Sequence, residues 1–282
     1  MIGSKGRILG ARRGGACNMS IRLYHKALDE LYRRYNRREF VHPDPLEFLY
    51  RYDDTSDREV AGLVAATLAV GRVASILASV GRVLEPMGPH PAAFLRDARE
   101  DDLRRMLAGF RHRFLAGKNL ATMLWGVRRI RARYGTLGAF FRAAMQPEDE
   151  TVLPAISVFV CEVSSMGDCG RLLADPRDKS ACKRLNLYLR WMVRHDDVDP
   201  GGWKGVSPAQ LVVPLDVHMH RIARALGLTE RRQADGRTAL EVTAAFREIA
   251  PDDPTRYDFA LTRLGIRDDT DLPAFLARCG AK

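Results

Sequence analysis

Val213-Pro-Leu-Asp-Val-His-Met-His-Arg-Ile-Ala-Arg-Ala-Leu-Gly-Leu228 carries the clearest helical pattern in the chain. Met219, Ile222, Ala223 and Leu226 recur at i, i+3, i+4 and i+7, which puts them on one apolar face of a helix. Arg221 and Arg224 point away from that face. Asp216 stands at the N-cap, its carboxylate among the free N–H groups of the first turn. Gly227 follows at the end that favours a left-handed residue.

The same grammar extends along the chain. Asp44-Pro45 opens a short helix through Tyr52, and Ser56 and Glu59 have capping-box spacing ahead of a run over 60–71 that is apolar nearly all round. That run reads as a buried central helix. Further helices fit near 72–86, 91–98, 101–108, 117–134, 137–145, 148–164, 179–194, 238–249 and 254–264. Gly265, after Leu264, reads as a second left-handed cap, and Asp253-Pro254 repeats the cap-then-proline signature. Strand signals are weak, and Val152–Val163 is the only stretch to consider for β. The expectation is an all-α fold. The longest segment without periodicity is 195–213, which holds Trp203 in a glycine-rich loop.

The net charge of +10 favours a polyanionic partner, nucleic acid first and an anionic membrane surface second. Residues 1–19 supply Lys5, Arg7, Arg12 and Arg13 with no acid and read as a disordered basic tail, leaving 20–282 as one domain. No apolar run reaches the roughly 20 residues that a membrane span needs, and the tail lacks the apolar core of a secretory signal. Five cysteines, odd in number and without a C-x-x-C pair, fit a reducing cytoplasm. His218 and His220 sit two apart, about 200° around a helix axis, so they cannot chelate one metal together.

The phrase Leu215–Leu228 resembles the signature V-D-T-H-V-x-R-V-x-x-R-L-G of the helix-hairpin-helix DNA glycosylases, with Val217 where Thr is usual. Ser180-Ala-Cys-Lys-Arg-Leu-Asn-Leu187 resembles their hairpin-to-helix segment G-x-G-x-K-T-A, although Asp178-Lys179-Ser180 stands where a glycine-rich turn is usual. The resemblance makes Lys183 the catalytic lysine and Asp216 the essential acid, on a two-lobed helical domain. Their separation of 33 residues is similar to that of the archaeal 8-oxoguanine glycosylases rather than most endonuclease III-like members. Residues 40–265 also resemble an uncharacterised bacterial family described only as a domain of unknown function, whose SACKRLNLFLRWMVR and PLDTHVHRIARRLGL are nearly reproduced here. The [4Fe–4S] cluster of many glycosylases is excluded on ligand count, because only Cys279 follows Asp216; no cofactor is expected.

The expected activity is excision of a damaged base, such as an oxidised purine, from double-stranded DNA by a monomer, with or without β-lyase chemistry. Excision needs a nucleophile at the anomeric carbon and a negative charge beside the sugar cation that develops. A lysine attacks only when deprotonated, which nearby cations and burial promote. Lys183, Arg190 and Arg194 fall on one helical stripe with Leu187, and together with Lys179 and Arg184 they are candidate phosphate contacts, or else a solvated basic face. Tyr188, Trp191 and Trp203 are candidates to stack on an extruded base, or else core aromatics. Two other classes stay open: a non-catalytic nucleic-acid-binding relative, and a helical protein that binds a small ligand or a protein partner.

Overall fold

In the computed structural model, residues 16–267 and 270–279 are described. They form thirteen α-helices, several 3-10 turns and one two-stranded hairpin. In chain order the elements are α1 (Ala16–Tyr35), α2 (Thr55–Thr67), α3 (Val73–Leu84), α4 (Pro91–Asp97), α5 (Glu100–Met106), β1 (Arg111–His112), β2 (Leu115–Ala116), α6 (Gly117–Tyr134), α7 (Leu137–Ala144), α8 (Leu153–Ser164), α9 (Lys183–Val193), α10 (Val217–Ala225), α11 (Gly236–Ile249), α12 (Asp258–Ile266) and α13 (Leu272–Arg278). The fold is all-α in class. Among the described residues no helix is long and apolar enough to cross a membrane.

Buried apolar side chains form two clusters. The first runs from Val41 to Leu211 with Phe259 and is centred on α2, whose Ala61, Leu63, Val64, Ala65 and Ala66 are fully buried. The second joins α1 to α10, α11, α12 and α13. The N-terminal helix therefore packs on the C-terminal segment: Tyr24 Oη donates to the Leu226 carbonyl at 3.0 Å and Tyr257 Oη to Asp29 at 2.8 Å. Periodicity over 24–35 supports this helix, with Ala27, Leu28, Leu31 and Tyr35 on the buried side. Neither α1 nor α13 was among the expected helices. Of the expected basic tail, residues 1–15 lie outside the described residues, whereas 16–19 belong to α1.

Several local expectations change. The 148–164 stretch is helical from Leu153, so its β alternative falls. The helix expected over 179–194 starts only at Lys183, because Lys179 and Cys182 take left-handed backbone at φ 60° and 46°. Gly227 does cap α10 at φ 70°, but Gly265 lies inside α12. Asp253 accepts from the Thr255 hydroxyl rather than capping a helix, and α12 begins at Asp258.

The Ser56–Glu59 capping box does not form either. Asp54 caps α2 instead, accepting from Ser56 N at 2.7 Å and Asp57 N at 3.2 Å. Glu59 is released to a buried role at the start of α7, where it accepts from Leu137 N (3.0 Å), Gly138 N (2.7 Å) and Arg131 (2.7 Å). Burial pushes its carboxyl up, and those backbone N–H groups and Arg131 pull it back. Glu59→Ala leaves Leu137 N and Gly138 N without their acceptor and Arg131 without its carboxylate, while Thr136 still caps α7. The expected loss is about 3 kcal/mol in urea denaturation, against which a loss below about 1 kcal/mol would argue that water replaces the carboxylate.

Candidate active site

Between the two clusters lies a cleft of about 790 Å3. One wall comes from the segment between α2 and α3 with the start of α3, the hairpin turn and the start of α9; the other comes from Leu215, Asp216 and His218 with α12. Asp216 is the N-cap of α10, and its two oxygens divide the work. Oδ1 accepts from Met219 N at 2.8 Å, which caps the helix, while Oδ2 faces Lys183 Nζ at 3.3 Å. The two residues are 33 apart in sequence, and both remain partly exposed to the cleft. Lys183 is the first residue of α9, behind a turn held by the left-handed Lys179, whose carbonyl accepts from Gly236 N at 2.8 Å. Lys179 thus adopts at a steric cost the backbone that a glycine would supply freely. Cys182 behind it is inert: its thiol contacts the Ala174 carbonyl at 3.2 Å and burial pushes it up to about 11.

The expected basic stripe on α9 dissolves in three dimensions. Arg190 and Arg194 are buried to within a few per cent, so neither can reach a phosphate. Arg190 pairs with Asp199 at 3.0 Å and with Asp258; Arg194 pairs with Asp199, with Asp196 at 2.8 Å and with Asp253 at 2.9 Å. A charge is stable there only because those carboxylates come from outside the helix. Arg184 is half-buried and donates to the carbonyls of Thr67 (2.9 Å) and Arg171. Among the four expected phosphate contacts, Lys179 alone is exposed.

The expected base-stacking residues separate too. Tyr188 and Trp203 pack edge to face at 5.3 Å inside the first cluster, away from the cleft. Their roles in a base pocket are withdrawn, because burial of both rings is complete without a ligand. Trp191 does line the cleft, but the residue as a whole is only 1% exposed. His218 also faces the cleft, whereas His220 bonds the Arg231 carbonyl at 2.9 Å, so the two do not converge. No group of metal-ligating side chains occurs among the described residues.

One residue that sequence reasoning missed is Asp258, at the start of α12. It lines the cleft wall, pairs with Arg190, and leaves its buried Oδ1 without a partner. Burial pushes its carboxyl up to about 6; Arg190 opposes that and the charge of Asp216 adds to it. The native state therefore holds this proton where the unfolded chain has released it, so ionising Asp258 costs stability as pH rises through about 6. Asp216→Asn removes the neighbouring charge, and the Asp258 midpoint is expected to fall. Carboxyl-carbon NMR titration reads this directly, and an unchanged or higher midpoint would break the proposed coupling.

Residues 44–267 match the family described as protein of unknown function (DUF2400). The chain belongs to that family. Of the cleft lining only Pro43 falls outside the DUF2400 match, so the cleft is built from the shared domain and not from an appendage. Comparison with curated proteins found no match, and neither did comparison with solved structures.

Proposed function

We propose that this chain is a DNA base-excision glycosylase with lyase chemistry, its two helical clusters acting as the lobes of a helix-hairpin-helix glycosylase fold. The observation that carries the reading is the pairing of Lys183 Nζ with Asp216 Oδ2 at 3.3 Å, on the wall of a cleft whose volume suits a single nucleotide. The motif resemblance of the two segments supports the same pair. In this reading Lys183 passes a proton to the Asp216 carboxylate and attacks the anomeric carbon of the target nucleotide. The glycosidic C–N bond breaks, its electrons leave with the base, and Asp216 hands that base the proton. The carboxylate, again charged, takes a proton from the nitrogen of the lysine adduct and delivers it to the sugar ring oxygen as the bond from that oxygen to the anomeric carbon breaks, leaving an open-chain iminium whose positive charge the carboxylate faces.

Borohydride tests this step, since hydride reduces the iminium to a secondary amine and leaves the chain covalently joined to DNA. Incubation of the full chain with duplex DNA carrying an abasic site should yield that adduct. Persistent failure to trap on abasic and lesion-bearing duplexes would exclude the lyase. A non-catalytic DNA-binding relative is the second reading, and Lys179, left-handed at φ 60° where the glycosylase hairpin carries glycine, favours it. It requires salt-dependent duplex binding without any trapping.

A further inference from the structure

Five large apolar side chains stand exposed among the described residues, and three of them, Phe114, Val217 and Ile266, line this one cleft. They come from separate elements: the hairpin turn, the first residue of α10 and the last of α12. Single exposed hydrophobics need no explanation, but convergence of three on one rim marks a contact surface.

Phe114 is 53% exposed, yet its backbone is firmly held. It is the second residue of the two-residue turn Arg113–Phe114, which the pair His112↔Leu115 closes with Arg111↔Ala116 behind it. Arg113 supplies the positive φ of 55° that such a turn requires. Its stem crosses Gly71, where a Cβ would come within 2.7 Å of Arg113 Cδ and where φ is +108°. His112, buried beneath the turn, bonds Ser79 Oγ and the Val70 carbonyl, both at 2.9 Å. Arg82 adds a bond to the Arg111 carbonyl at 3.1 Å. The hairpin is therefore a rigid stalk that presents an uncovered aromatic ring at the cleft mouth.

Charge identifies the occupant. Every carboxylate that lines the cleft has its own cation: Asp44 with Arg263, Asp216 with Lys183, Asp235 with Arg231 and Asp258 with Arg190. By contrast Lys179 and Arg184 on the lining have no carboxylate partner among the described residues, nor has Arg171, whose guanidinium lies 5.9 Å from the Phe114 ring centroid. The rim thus offers surplus positive charge beside a flat apolar ring. A polyanion whose units carry flat aromatic faces satisfies both features.

We infer that Phe114 is a stacking platform for an unpaired base, so that the cleft selects DNA with an unstacked nucleotide over intact duplex. This rests on the reading of the cleft as a DNA site but needs no chemistry at Lys183. The test uses the full chain carrying Lys183→Gln, with binding followed by anisotropy on two duplexes: one fully matched, the other with a single-nucleotide 2-aminopurine bulge. The bulged duplex should bind more tightly and its 2-aminopurine fluorescence should be quenched. Adding Phe114→Ala should weaken bulge binding about 10- to 100-fold with little effect on the matched duplex, while Phe114→Trp should keep the preference. The thermal midpoint of Phe114→Ala should be unchanged, which separates stacking from a structural role. Equal affinity of the two duplexes, or a bulge preference indifferent to Phe114→Ala, would overturn the inference. Failure of borohydride trapping with a surviving Phe114-dependent preference would remove the glycosylase reading alone. Trapping by the native chain with no effect of Phe114→Ala would remove this inference alone.

Discussion

Lys183→Gln is expected to abolish borohydride trapping on abasic duplex DNA, because the amide keeps most of the side chain's length but has no amine to form the iminium. Asp216→Asn is expected to lower base excision by about 10^2- to 10^4-fold, the range for loss of a positioned acid–base group. The two variants separate catalysis from folding. Asn is among the best N-cap residues, so its side-chain oxygen can still accept from Met219 N, as Oδ1 does at 2.8 Å in the native chain. Denaturant midpoints of Asp216→Asn should thus stay close to native, whereas Asp216→Ala should lose about 1 kcal/mol with the cap. A residue that only caps α10 predicts that Asn is silent in every assay. Trapping that survives Lys183→Gln would move the nucleophile elsewhere in the cleft and end the assignment.

Arg194→Ala is expected to cost about 3–5 kcal/mol, a large part of the roughly 5–15 kcal/mol that holds a typical domain together. The guanidinium is 4% exposed and ties together Asp196, Asp199 and Asp253. Its removal leaves Asp199, itself wholly buried, with Arg190 as its one remaining cation, and leaves Asp253 without the bond it receives at 2.9 Å. Repulsion among the carboxylates then adds to their desolvation cost. Arg194→Lys should fall between, since an ammonium cannot span three carboxylates as a planar fork does. Urea denaturation measures the loss, and a cost below about 1 kcal/mol would show that water, not the guanidinium, balances these acids. Neither variant is expected to change the salt slope of DNA binding in the fraction that stays folded, because the side chain does not reach solvent.

Local signals were legible where their partners lie within four residues. The cap at Asp216, the apolar face of α10 and the left-handed Gly227 could all be read from the chain, as each depends on one turn of helix. The burial of α2 followed from a run apolar on every side, which only a core can accept. Ser56–Glu59 misled for the opposite reason. A capping box competes with any stronger local acceptor, and Asp54 two residues earlier wins, freeing Glu59 for Arg131 and the start of α7. The hairpin that carries Phe114 was missed because four paired residues give too short a run for alternation, and its turn uses Arg113 where glycine or asparagine would advertise it.

Helical periodicity and capping residues sufficed for the all-α class, for the helix that Asp216 caps and for placing a lysine and an acid at 183 and 216. Which of those residues meet solvent, and which meet each other, depends on how the helices pack. Arg190 and Arg194 look like a phosphate-binding stripe until Asp196, Asp199, Asp253 and Asp258 arrive from outside α9 to neutralise them. Tyr188 and Trp203 look like a base pocket until the chain closes over both. Lys183 and Asp216 become a pair only when α9 and α10 converge on one cleft and bring Nζ and Oδ2 to 3.3 Å. The physical reason is range. Caps and helical faces are set by backbone hydrogen bonds within a turn or two, whereas desolvation and ion pairing depend on whatever distant segment the fold brings into contact.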